Sequence, residues 1–198
     1  MHWPLPYILK SFLADYPNIT IYLKEGTNVE LAKWLQEGVI DLSFSAKPSM
    51  KDEFDWIPVL TDELMAWLPE RYGSNYGDSF PVKDLEKYPF IITQPDNDTD
   101  IDRVLHDLGI EADIHFSTKD AYATYKMVEA DLGVSFNQQL IARDWTGKVT
   151  VLSFKPAQYI ELGLALPSMN EASPVTKQFI SYVKQSILEQ GASDKNEN

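Results

Sequence analysis

Short β-branched and aromatic runs alternate with segments of helical period along most of this chain, and that alternation limits its fold more than any other feature. In "PYILKSFLADYP", residues 6–17, Ile8, Leu9, Phe12 and Leu13 fall on one helical face, and Pro17 closes the segment. "NITIYL" then alternates as a strand does. A helix follows: Thr27 with Glu30 three residues on makes a capping box, Leu31, Trp34 and Leu35 form the apolar stripe, and Gly38 ends it. "VIDLSFS" reads as the next strand. "DWIPVLTDELMAWLP" reads as two strands around a tight turn, and "YPFIIT" as a short buried strand. "ADIHFS" leads into the helical "TKDAYATYKMVEADLG", then "GVSF". "KVTVLSF" and "YIELGLALP" read as two further strands before "SPVTKQFISYVKQSIL", a terminal helix opened by Ser173 or Pro174.

Strands alternating with helices predict an α/β fold with mainly parallel pairing. The segments beginning "ITIYLKEG" and "ADIHFSTK" share one order: strand, hydroxyl-bearing loop, helix, strand. That suggests two similar halves. No Gly- or Ser-rich linker separates them, so crossover strands must form the boundary.

Composition narrows the function. At 198 residues the chain has room for one or two cores. A net charge of -13 argues against binding nucleic acid or an anionic membrane through this segment, because phosphate affinity needs clustered Lys and Arg. The absence of cysteine removes disulfide frameworks and thiolate catalysis, and fits a cytoplasmic setting. No apolar run approaches the roughly 18 residues of a membrane span. The N-terminus has neither a basic head nor a small-residue cleavage site, so a secretion signal is not expected.

"TQPDNDTDID" crowds four aspartates between residues 96 and 102. Asp96, Asp98 and Asp100 have the first spacings of a calcium loop, but Ile101 stands where the sharp turn needs Gly, and Asp107 where Glu is needed. Catalysis would need two carboxylates in different environments, which a run of solvated acids does not supply. The run fits a helix start: Thr99 with Asp102 resembles a capping box, Ile101, Val104, Leu105 and Leu108 share a face, and Gly109 stands past the end. Loops around Thr27, Thr93 to Thr99, and Ser117 to Thr118 each open a helix. In a parallel α/β sheet such loops hold ligands, and their free N–H groups suit a carboxylate, phosphate or sulfate. His106 and His115 read as solvated or packing residues. No catalytic motif, phosphate loop, cofactor site or metal site is expected.

The ordered motifs resemble those of the effector-binding domain of LysR-type transcriptional regulators. Its opening pattern is matched by Phe12, Tyr16, Pro17, Glu25, Gly26, Gly38, Asp41 and Leu42, and the resemblance continues through "PVKDLEKYPFI" and "MVEADLGVSF" to about residue 190. It implies a two-subdomain, periplasmic-binding-protein-like (type 2) fold with a ligand cleft between subdomains joined by two crossover strands. Residues 1–68 plus 155–190 would form the first subdomain, 69–154 the second, and 191–198 a disordered tail. Carried over from the family, the effector contacts are Thr27, Ser45, Ala46, Thr93, Thr118, Phe136 and Asn137.

The resemblance further implies an effector that is an anionic metabolite, closure of the cleft around it, and a homodimer or tetramer paired through the helix near Pro6 to Ala14. DNA would be met only through a helix-turn-helix that this sequence lacks. The chain starts at or just before the helix that follows the family's first strand, so one wall of the effector site is expected to be missing. Asn137 stands where the family often has Pro, and Ala46 lacks a hydroxyl that some relatives carry. Two rivals share the fold: a solute-binding protein of a transporter, and an enzyme.

Overall fold

The computed structural model describes residues 5–47, 53–94 and 99–193. It contains helices α1 (Leu5–Asp15), α2 (Asn28–Gln36), α3 (Glu70–Gly73), α4 (Asp100–Asp107), α5 (Ala121–Glu129), α6 (Gln139–Ala142) and α7 (Pro174–Ser193). The strands are β1 (Ser43–Ala46), β2 (Asp55–Pro69), β3 (Ser79–Pro81), β4 (Pro89–Thr93), β5 (Asp113–Thr118), β6 (Ser135–Gln138) and β7 (Val149–Leu166). The chain divides into two compact units, Met1–Thr61 with Glu161–Asn198, and Asp62–Ile160.

In the first unit, Ile8 and Phe12 lie one turn apart on α1 and are buried with Leu164, Leu166, Ile180 and Val183. The Phe12 ring stands edge-on to Phe179 and Tyr182 of α7. Both capping predictions for α2 hold: the Thr27–Glu30 box is formed, and Gly38, at φ +66, carries the chain out of the helix in the left-handed region. β1 pairs antiparallel with β7, placing Ser43 opposite Ala165 and Ala46 opposite Leu162. At Gly163 of β7 a Cβ would lie 2.3 Å from the Ile57 carbonyl oxygen, so the close approach of β2 requires glycine.

"NITIYL" is not a strand. Residues 18–23 alternate correctly but join no ladder among the described residues, and Tyr22 stays 88% exposed. Alternation specifies a face, whereas a strand also needs a neighbour to accept its N–H and C=O groups.

In the second unit, β4 and β5 pair in parallel, a bridge joins Phe90 to Val134 just before β6, and β6 pairs antiparallel with β2. β3 runs parallel to β7. Leu64, Leu68, Phe80, Phe90, Phe136 and Phe154 form the main core, and Trp67, Ile91, Tyr125 and Val128 a second.

Two boundary expectations fail for one reason. "DWIPVLTDELMAWLP" is a single 15-residue strand, and the two strands read at "KVTVLSF" and "YIELGLALP" are one strand of 18. Thr61-Asp62 lacks the glycine or asparagine that a tight hairpin favours, and β2 simply continues from one unit into the next. Because β2 and β7 traverse both units, their neighbours β6 and β1 run against them. The expected dominance of parallel pairing therefore gives way to a mixed sheet.

Candidate functional site

Thr93 and Thr118 end the parallel strands β4 and β5 and stand directly opposite one another in register. Ile91 and Ile92 anchor the end of β4 in the core, so Thr93 is fixed by packing and is only 6% exposed. After it the chain turns through Gln94, at φ 53. The Gln94 N–H donates to the Thr118 carbonyl at 2.7 Å, and its side-chain amide donates to the Lys119 carbonyl at 3.1 Å. These bonds hold the two loops together.

Asp120 opens α5. Its Oδ1 accepts the Ala123 N–H at 2.7 Å, as an N-cap does. One turn on, the fully buried Thr124 points its hydroxyl back to the strand ends. Thr93 and Thr124 Oγ1 atoms are 2.7 Å apart, and Thr124 and Thr118 2.9 Å. Thr118 also donates to the Asp120 carbonyl at 2.8 Å and accepts the Asp120 N–H at 3.2 Å. Two residues singled out by the resemblance are thus brought together by a third, Thr124, that it did not single out. Asp120 was legible as a helix cap, being an acid just before an apolar-periodic segment. Thr124 gave no such signal.

The other residues of this unit are placed differently. Phe136 is buried between Phe90 and Phe154, with ring centroids 5.9 and 5.4 Å away. Asn137 is 8% exposed and accepts the Gln138 N–H through Oδ1. Asp62, also missed, is 4% exposed; its carboxylate accepts the N–H groups of Glu63 and Leu140 and so ties β2 to the start of α6.

In the first unit, Thr27 Oγ1 accepts the Glu30 N–H at 3.3 Å, and the Glu30 carboxylate accepts the Thr27 N–H at 2.8 Å. Ser45 donates to the Ala46 carbonyl on β1, and Ala46 is buried. Lys47 reaches Glu161 at 3.8 Å.

At the aspartate run, Thr99 and Asp102 form the predicted box, and Gly109 leaves α4 at φ +56. Asp96 and Asp98 lie outside the described residues. Among the described residues no cluster of three or more His, Asp or Glu is placed to hold a metal. His106 and His115 are exposed and lie against Asp107 and Asp113. The altered acidities lie elsewhere. Burial, with bonds to Tyr88 and Asp84, raises the Tyr76 phenol, and Lys126 pulls the exposed Glu129 carboxyl down.

Comparison with known proteins agrees with this architecture. Residues 1–187 match the model of the LysR substrate binding domain. The chain is similar to the uncharacterized HTH-type transcriptional regulators YvbU and YybE of Bacillus subtilis, with 23% and 26% identity over 183 residues. Those matches cover 91% and 90% of this chain and 62% of each relative, so the chain spans about three fifths of the relatives' length. The effector binding domain of QuiR in complex with shikimate superposes with a TM-score of 0.81 at 19% identity, covering 94% of this chain and 91% of that one. The regulatory domain of Synechocystis PCC6803 CcmR in complex with 2-PG gives 0.83 at 17%, covering 92% and 90%. Full-length CbnR complexed with its target DNA gives 0.76 at 17%, covering 93% of this chain and 66% of that one. The fold is the type 2 periplasmic-binding-protein-like fold, and the chain belongs to the LysR substrate binding domain family.

Proposed function

We propose that this chain is the effector-sensing part of a LysR-type regulator, binding a small molecule at the hydroxyl-bearing loops after β4 and β5. The supporting observation is the pairing of Thr93 with Thr118 through Thr124 at the C-terminal ends of two parallel strands, where α/β sheets present ligands. The role is regulatory rather than catalytic, and cytoplasmic. Ligand binding would act by its differential affinity for two arrangements of a homodimer or tetramer. DNA would be contacted through a helix-turn-helix segment of the kind the relatives' names declare. Whether the ligand is an anion, as the resemblance implies, depends on the groups that meet it.

The test is a thermal-shift screen of small metabolites spanning acids, neutral polyols and amines, run on the chain and on Thr118→Val and Thr27→Ala variants. A ligand at about 100 times its Kd should add roughly 2.7 kcal/mol. Loss of a hit in Thr118→Val supports the loop site. A hit that stabilises every variant equally places recognition elsewhere.

A further inference from the structure

We propose that the loops of the second unit are closed to anions and recognise a ligand that brings its own hydrogen-bond donors, through hydroxyl or ammonium groups. This rests on the effector reading above and concerns the charge class that the site accepts.

The hydroxyl cluster leads to this conclusion by a count of protons. Thr93, Thr124 and Thr118 each have one hydroxyl proton. The close oxygen pairs are Thr93–Thr124 at 2.7 Å, Thr124–Thr118 at 2.9 Å and Thr118 to the Asp120 carbonyl at 2.8 Å. A carbonyl cannot donate, so Thr118 donates to it. Thr124 must then donate to Thr118, and Thr93 to Thr124, or an oxygen pair would touch with no proton between. All three protons are spent inside the chain of hydroxyls. Thr118 has filled both lone pairs, accepting from Thr124 and from the Asp120 N–H. Thr93, at the head of the chain, keeps acceptor capacity and no donor.

The helix starts agree. An anion is drawn to a helix N-terminus by its free N–H groups and positive dipole end. At α5 the Asp120 carboxylate already takes the Ala123 N–H at 2.7 Å. At α4 the Asp102 carboxylate takes the Thr99 N–H at 3.1 Å, and Thr99 takes the Asp102 N–H. Each start carries its own negative charge where an incoming carboxylate or phosphate would have to sit. The Gln94 N–H and side-chain amide donate to the backbone carbonyls of Thr118 and Lys119. Lys119 is exposed, and its charge is set against Asp120 beside it in the chain. The unit as a whole has almost twice as many acids as bases.

The experiment is an amide-resolved NMR titration of the whole chain with inorganic phosphate and shikimate at constant ionic strength, alongside the uncharged methyl ester of shikimate. It is repeated on Asp120→Asn, which removes the charge but keeps an oxygen to cap Ala123. The expected result is that the anions leave the amides of Asp120, Ala123, Thr124, Thr99 and Asp102 unmoved in the wild type. In Asp120→Asn, phosphate should move the α5 amides with affinity raised at least about tenfold, since a like charge a few ångströms away has been removed. Anion-induced shifts of these amides in the wild type at the variant's affinity would overturn the proposal while supporting an effector site. Silence in both proteins would overturn it too, because the carboxylate would then not be what excludes the anion. A thermal-shift screen with no hit of any charge would instead count against effector sensing and leave the anion result standing.

Discussion

Thr124 shows how much one hydroxyl can organise. It is fully buried, it joins the ends of two strands to the helix that follows them, and it completes a path of hydrogen bonds ending on a carbonyl. Replacing it with valine keeps the shape but strands the buried Thr93 hydroxyl. The expected loss is about 1–3 kcal/mol in urea-induced unfolding, the usual cost of an unsatisfied buried polar group. An unchanged midpoint would mean that Thr93 has another partner. Sequence was informative about residues whose roles are local. Thr27, Glu30, Thr99 and Asp102 act within three positions of each other, so spacing alone revealed both capping boxes. Thr124 and Asp62 act across the fold, on Thr93 and on Leu140, and no local pattern marks them. Phe136 was carried over as an effector contact, yet the position of its ring between Phe90 and Phe154 depends on three strands at once.

Among the elements, helices were read more reliably than strands. A helix satisfies its own backbone, so α4 and α5 follow from their stripes and caps. A strand depends on what lies beside it, which is why residues 18–23 alternate as a strand should and still pair with nothing described. The two long strands were missed for the opposite reason: Thr61-Asp62 and Lys155-Pro156 resemble breaks, but the neighbouring strands carry the chain straight through. Gly163 in β7 is a sharp test of that packing. Gly163→Ala puts a methyl 2.3 Å from the Ile57 carbonyl oxygen and 2.7 Å from the Trp56 ring. Overpacking of this kind costs about 1–3 kcal/mol, so the melting temperature should fall measurably. An alanine variant as stable as the parent would show that β2 and β7 can move apart at no cost.

At the scale of the whole molecule, the two units differ in how the chain builds them. Asp62–Ile160 is one continuous stretch with its own core, whereas the other unit is made of two pieces separated by it. Residues 62–160 produced alone should therefore fold cooperatively, with a sigmoidal thermal transition and dispersed amide signals. A broad, non-cooperative melt would mean that this core depends on the rest of the chain. The same arrangement sets an order of events on the ribosome, where domains fold as units once their residues have emerged. α1 is synthesised among the first residues, but its packing partner α7 is among the last. Ile8 and Phe12 must wait, exposed, while the entire second unit is made and closes. The newborn protein is thus most vulnerable at its beginning, and a messenger truncated shortly before α7 would yield a well-formed centre flanked by two sticky, unpaired ends.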